Sequence, residues 1–263
     1  MSRIAETFAG LRKRGEKGLV TYLTAGDPDL ERTAALIAVM DQAGADIIEI
    51  GIPFSDPLAD GPVIQAASNR ALAAGVTVDR ILAMVAEVRA AVAAPLVLMT
   101  YYNPVFQQGL EAFCRRAAES GVDGMIVPDL PYEESGPLLR AADRYGIDLI
   151  PLVAPTSTPS RIAAICARAR GFIYCVSVTG VTGMRETIET DLRSLGDSIR
   201  QHTNLPVAIG FGVSGPEAAA RVAPFGDAVV VGSAIVRLIG DGAFEEVGRF
   251  TAALKRALSP QGG

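Results

Sequence analysis

Ala43-Gly44-Ala45-Asp46-Ile47-Ile48-Glu49-Ile50-Gly51 decides how this chain is read. The stretch leading into it, Glu31 to Ala43, places Leu36, Val39, Met40 and Ala43 at helical spacing and so makes one apolar face. Gly44 can close that helix, because a residue without Cβ enters the left-handed conformation of a last turn at no steric cost. The run Asp46 to Gly51 is rich in Ile at successive positions, as expected of a strand covered on both faces. The unit is therefore helix, glycine turn, buried strand. It recurs at Ser120-Gly121-Val122-Asp123, at Tyr145-Gly146-Ile147-Asp148 and at Phe225-Gly226-Asp227.

Working outward, eight strand candidates can be placed: Leu19 to Thr24, Asp46 to Gly51, Leu96 to Tyr101, Gly124 to Val127, Asp148 to Val153, Phe172 to Val176, Val207 to Gly210, and Ala228 to Val231. Helical stretches lie between them. Val78, Ile81, Leu82, Val85 and Val88 form one stripe, and Leu110 to Ser120, Glu133 to Tyr145, Ser160 to Arg168, Leu192 to His202, Pro216 to Ala223 and Ala243 to Leu258 fill the other intervals. Eight βα units in about 250 residues is the arithmetic of an α/β (β/α)8 TIM barrel. An open doubly wound sheet stays possible, because strand order is not written in the sequence. Residues Ser2 to Arg14 form an extra N-terminal helix suited to covering the barrel's bottom. No change in composition or long linker divides the chain, so residues 1–263 are expected to be a single domain.

Composition narrows the function. The chain has 263 residues, 49% of them hydrophobic, with a formal net charge of −5. Its pI is about 5.1 and its mean hydropathy +0.31. No basic cluster is present, which argues against nucleic acid and anionic membranes as partners. No apolar run reaches the ~18 residues of a membrane span, and the N-terminal stretch lacks a signal-peptide pattern, so a cytoplasmic location is expected. Cys114, Cys166 and Cys175 have no metal-ligand spacing and are expected to be reduced; Cys114 and Cys166 read as small core hydrophobes, while Cys175, in a strand candidate, is open to a nucleophile's role but has no His near it in sequence. The one histidine, His202, falls at a helix end, which leaves neither a His-based triad nor a His-rich metal centre. No metal is expected.

Glu49 is the anomaly in its strand. A carboxylate taken out of water costs several kcal/mol, roughly, unless it is paired or working. The segment after it, Pro53-Phe54-Ser55-Asp56-Pro57-Leu58-Ala59-Asp60-Gly61-Pro62, is too rich in Pro and Asp to be helix or strand interior. As a loop at the strand's carboxyl end, it returns a second acid, Asp60, toward Glu49. Two carboxylates in unlike settings suit acid/base chemistry.

Other motifs follow later strands. Ser177 to Glu186, rich in Gly and Thr, has the length of a lid. Gly210-Phe211-Gly212-Val213-Ser214 follows the seventh strand, and Gly232-Ser233-Ala234 opens a short helix after the eighth. Free amides at such a helix start attract anions, and barrels commonly hold phosphate there. With no Lys or Arg in these motifs, neutral backbone dipoles are expected to hold it. No Walker-type or Gly-x-Gly-x-x-Gly motif points to a nucleotide. Tyr22, Tyr101, Tyr174 and Phe211 gather near strand ends, as a flat apolar substrate or plain core packing would ask. Asp129, between Pro128 and Pro131, is a loop-shaping candidate.

The stretch Glu49 to Pro62 resembles the signature of the tryptophan synthase alpha chain family. Tyr22 to Pro28, Tyr101-Tyr102-Asn103-Pro104, Pro128 to Pro131, Gly180 to Gly183, Gly210 to Gly212 and Gly232 to Ala234 support it in order along the chain. The resemblance implies retro-aldol cleavage of indole-3-glycerol phosphate to indole and glyceraldehyde 3-phosphate. It implies Glu49 as general acid/base and Asp60 as the acid on the indole N–H. It also assigns Gly183, Phe211, Gly212, Gly232 and Ser233 to phosphate, and Tyr22, Tyr101, Tyr174 and Thr182 to pocket and lid, with Thr182 steadying Asp60. It implies an α2β2 heterotetramer with a beta chain, in which pyridoxal phosphate belongs to the beta chain alone, and it makes Asp56 a rim contact. Tyr22 stands where the family is expected to carry Phe. Two other functions fit parts of the sequence. One is a barrel isomerase of sugar phosphates, which needs no indole pocket; the other is a non-catalytic subunit that only activates a partner, against which an intact Glu49 and Asp60 argue.

Overall fold

The computed structural model describes residues 1–176, 185–210 and 212–259, those of 185–191 by their backbone alone. Its strands are β1 (Gly18–Thr24), β2 (Ile47–Gly51), β3 (Leu96–Met99), β4 (Gly124–Ile126), β5 (Asp148–Leu149), β6 (Leu152–Val153), β7 (Ile173–Val176), β8 (Val207–Gly210) and β9 (Ala228–Val231). All pairings are parallel, in the order β5-β4-β3-β2-β1-β9-β8-β7-β6.

The two ends of that order, β5 and β6, are halves of the one strand expected over 148–153. Ile150 donates to the Met125 carbonyl at 2.9 Å, and the Pro151 carbonyl accepts from Tyr174 at 3.0 Å. Pro151 has no N–H, so the ladder to β4 stops there and the chain turns to β7. The two edges are thus joined covalently, and the sheet closes into a barrel. This excludes the open doubly wound alternative and bears out the eight-unit count.

The helices are α1 (Arg3–Arg14), α2 (Leu30–Gln42), α3 (Pro62–Ala73), α4 (Val78–Arg89), α5 (Tyr102–Gln108), α6 (Leu110–Glu119), α7 (Gly136–Arg144), α8 (Pro159–Arg168), α9 (Arg185–Arg200), α10 (Pro216–Val222), α11 (Ser233–Gly240) and α12 (Phe244–Leu258). Two of them, α3 and α5, escape the periodicity reading. The buried face of α3 is Ala67, Ser68 and Ala71, too small to register as a stripe, and α5 spans two turns. Helix α9 starts seven residues before the expected Leu192, and Arg185 and Glu186 belong to it instead of the preceding loop. That stretch is polar, which hides it from an apolar pattern, but it holds no Gly or Pro to stop a helix. Among the described residues, no helix is long and apolar enough to cross a membrane.

Strand residues alternate between the barrel interior and the helical layer. Leu19, Leu23, Ile48, Ile50, Leu96 and Leu98 face the helices, whereas Val20, Ile47, Val97, Ile126, Ile150, Phe172 and Ala208 fill the interior. The N-terminal helix plugs the barrel's bottom. Ile4, Phe8 and Leu11 of α1 join the interior cluster, with the Phe8 and Phe172 ring centroids 5.8 Å apart.

The aspartate that follows the glycine turn has a second use at that end. Asp46 accepts the Leu19 N–H at 2.7 Å, Asp123 the Leu96 N–H at 2.9 Å, and Asp227 the Val207 N–H at 2.9 Å. Each carboxylate satisfies an amide at the start of a neighbouring strand. Gly44 takes φ 97°, as a helix-closing glycine should. Gly226 does not: its φ is −137°. It is needed for space, since a Cβ there would lie 2.9 Å from the Val207 carbonyl oxygen.

Candidate active site

Glu49 pairs in register with Tyr22 on one side and Val97 on the other. The strand alternation that buries Ile47 turns Glu49 inward too, one layer higher. It is 1% exposed. Its Oε1 has no hydrogen-bond partner among the described residues. With apolar neighbours below and no cation beside it, burial pushes its carboxyl up to about 8. At neutral pH Glu49 is thus mostly protonated, able to give a proton and, having given it, to take one back.

Asp60 comes from the loop between β2 and α3. Its N–H donates to the Pro57 carbonyl at 3.2 Å, and its own carbonyl accepts from Gln65 at 2.8 Å, which fixes the loop. The side chain is half-buried. Burial raises its pKa, and the Tyr101 hydroxyl offsets part of the rise. Tyr101 does not line the cavity described below. It stands behind the loop, accepting the Ala59 N–H at 3.0 Å and stacking on Phe54 at 5.1 Å between centroids.

Glu49 and Asp60 line one cavity of about 520 Å³ at the carboxyl ends of the strands. Tyr22, Tyr174, Gly212, Gly232 and Ser233 share it. Burial keeps the Tyr22 phenol protonated, and the nearby carboxyls of Asp60 and Glu49 act on it in the same direction. Its hydroxyl is 3.3 Å from Thr24 Oγ1. The ring passes over Gly51, where an added Cβ would meet the phenol oxygen at 2.1 Å, and Tyr174 makes the same demand of Gly210 at 2.6 Å. Thr182, Gly183 and Phe211 lie outside the described residues.

Another part of the wall begins at α11. Its N-cap, Gly232, offers no side-chain cap. Val236 is the first of its amides to find a helical acceptor, the Gly232 carbonyl at 3.0 Å. Ser233, Ala234 and Ile235 therefore present N–H groups without helical partners at the positive end of the helix dipole. One expectation fails here. The cavity wall does contain a cation, Arg237, which the short Gly-Ser-Ala motif did not reveal. Its signal was legible all the same, since Arg237 lies four residues beyond Ser233 and so on the same helix face. Met99, Pro128, Leu152 and Val176 complete an apolar floor that single motifs also missed.

Asp129 is a support: it accepts the Tyr102 N–H at 2.8 Å and holds the start of α5. It lines a separate hollow of about 290 Å³ between α7 and α8. Cys114, Cys166 and Cys175 are buried free thiols. Burial pushes Cys175 up to about 12, which removes it as a nucleophile. His202 is exposed just past α9. Among the described residues no group of His, Cys, Asp and Glu could hold a metal.

The family model described as tryptophan synthase alpha chain matches residues 8–258. The chain belongs to that family. A tryptophan synthase alpha chain of Geotalea uraniireducens is 52% identical, covering 100% of both chains. One of Synechocystis is 50% identical over 98% of this chain and 100% of its own. The crystal structure of the Legionella pneumophila alpha chain superimposes with a TM-score of 0.91 at 36% identity, covering 100% of this chain and 99% of that one. As a member of that family, the protein is a lyase that cleaves indole-3-glycerol phosphate to indole and glyceraldehyde 3-phosphate in tryptophan biosynthesis. Pyridoxal phosphate resides in the beta chain, so the alpha chain has no cofactor of its own.

Proposed function

We propose that Glu49 is the acid and base of this cleavage and Asp60 its electrostatic partner on the indole nitrogen. The substrate has the same atoms as its two products together. The reaction therefore moves one proton, from the glycerol hydroxyl next to the ring to indole C3, and breaks one carbon–carbon bond. Protonated Glu49 gives its proton to C3, which places positive charge on the ring nitrogen. The carboxylate of Asp60 accepts the indole N–H and stabilises that charge. Glu49, now ionised, takes the hydroxyl proton. The O–H electron pair becomes the aldehyde C=O, the C–C bond breaks, and its electrons restore the aromatic ring. Glu49 ends as it began, and neither water nor metal enters the balance.

The observation that carries this reading is the unpartnered, fully buried Glu49 carboxyl sharing one cavity with Asp60 and the free amides of α11. Tyr22 and Tyr174 form the walls for the flat ring. Gly212, Gly232 and Ser233 take the phosphate, with Thr182, Gly183 and Phe211 as the family's remaining contacts. Tyr101 acts through the Asp60 loop.

The alpha chain assembles with the beta chain as an α2β2 complex. Leu58 and Phe106, 94% and 61% exposed, project from the loop after β2 and from α5 on the cavity side and suit that contact, with Asp56 beside them. The whole chain works as one barrel domain in the cytoplasm. The test is indole release with the beta chain present, by wild type and by Glu49→Gln and Asp60→Asn. Both variants should retain glycerol 3-phosphate binding and lose nearly all turnover; substantial turnover by Glu49→Gln would end the assignment.

A further inference from the structure

We infer that Arg237 is a substrate-binding residue for the phosphate dianion, supplying the charge that the backbone cradle lacks. This deepens the phosphate reading above and rests on it. Arg237 lines the cavity in company with Gly232, Ser233 and Ala234. It stands one helical turn after Ser233 in α11. Side chains on a helix tilt toward its N-terminus, so an arginine at this position reaches back along the face that carries Ser233. The side chain is exposed. None of the ion pairs among the described residues engages it.

Charge makes this residue matter. Among the described residues, the cavity wall holds two acids, Asp60 and a Glu49 that is mostly protonated at neutral pH, and no other Lys or Arg. The chain as a whole carries −5. A doubly charged phosphate approaching through that field is repelled, and helix-end amides offer only partial charges, about half an elementary charge in sum. A guanidinium beside the α11 amides cancels part of the repulsion and adds forked N–H donors shaped for phosphate oxygens. A contact to the phosphate takes no part in the proton transfer at the ring. Its effect should therefore fall on binding and encounter and leave the bond-breaking step alone.

The experiment measures equilibrium binding of inorganic phosphate and of glycerol 3-phosphate, and steady-state indole release by the α2β2 complex, for wild type, Arg237→Gln, Arg237→Lys and Gly232→Val. At low salt Arg237→Gln should weaken both ligands and raise KM about tenfold, with kcat within about twofold. Wild-type kcat/KM should fall with added salt, and the fall should be largely absent in Arg237→Gln. Arg237→Lys should recover most of the affinity, which a residue serving only to pack α11 would not explain. Gly232→Val tests the underlying cradle, because its side chain crowds the α11 amides. If Gly232→Val keeps full phosphate affinity, the cradle itself is misplaced and this inference goes with it. If Gly232→Val loses affinity while Arg237→Gln keeps wild-type KM and salt dependence, the cradle stands and the role of Arg237 is refuted.

Discussion

The two ends of this barrel treat carboxylates in opposite ways. At the bottom, Asp46 is half-buried and held: its Oδ2 accepts the Leu19 N–H at 2.7 Å and the Lys255 ammonium at 2.8 Å. Asp123 is held by the Leu96 N–H at 2.9 Å and Arg89 at 3.2 Å, and Asp148 by the Ser2 hydroxyl at 2.6 Å. At the top, three residues after Asp46 on the strand β2 that Asp46 leads into, Glu49 is buried with nothing to hold its Oε1. Burial raises both Asp46 and Glu49, but hydrogen bonds and the charge of Lys255 restrain Asp46, while nothing offsets the rise at Glu49. Satisfied polar groups stabilise a fold. A buried group left unsatisfied costs stability and persists where a bound molecule completes it. The comparison locates function at the carboxyl ends of the strands, as expected of a barrel.

The comparison is broken most directly by Glu49→Gln. Indole release should fall about a thousandfold or more, because general acid/base catalysis contributes about 10²–10⁴ and the amide can neither give nor take the proton. Folding should survive intact, read from the thermal midpoint. Asp60→Asn should cost about a hundredfold in kcat, since it removes a charge and not the proton carrier. A KM effect without a kcat effect would reassign Asp60 to loop structure.

At the other end the outcome should invert. Asp46→Ala should leave kcat unchanged below its melting temperature and lower unfolding free energy by about 2 kcal/mol, since Leu19 N–H and Lys255 lose their acceptor. Chemical denaturation checks this, and an unchanged midpoint would show the bottom acids to be ornamental.

The last test is a pH slope, shallow at any one pH. Glu49 ordinarily titrates near 4.5 and is raised to about 8 in the fold. Between those values the native state binds the extra proton, so stability is greatest below the lower one and declines as pH rises through the upper one, by at most about 1.4 kcal/mol per unit. Glu49→Gln should flatten the decline in that window. The acid form also disappears above about 8, so wild-type kcat should fall there. A stability curve identical in the two proteins would mean that Glu49 is not protonated in the native state.

Much of the site was legible in sequence because each piece is local. Glu49 stands out as a charge in a strand otherwise apolar, Asp60 belongs to a loop that its prolines declare, and Gly232-Ser233 marks a helix start. What the motifs did not show lies beyond such short windows or leaves no apolar period. Tyr101 falls beside Asp60 only because β3 lies next to β2, and it then supports the loop from behind. Arg237 joins the cavity through a helical turn, a relation that a three-residue motif does not span. Helix α3, with its face of Ala and Ser, buries too little apolar surface to leave a period.

The sequence by itself determined the repeating unit, the strand that holds the acid and the glycine turns, since these follow from backbone sterics and side-chain period within a few residues. Tertiary structure alone decided that the sheet closes, through a strand divided at Pro151 and paired on one side by each half. It alone decided which aspartates find a strand amide and that Glu49 finds none. Pairing and desolvation are set by groups brought together across the whole chain, and no short window of residues contains them.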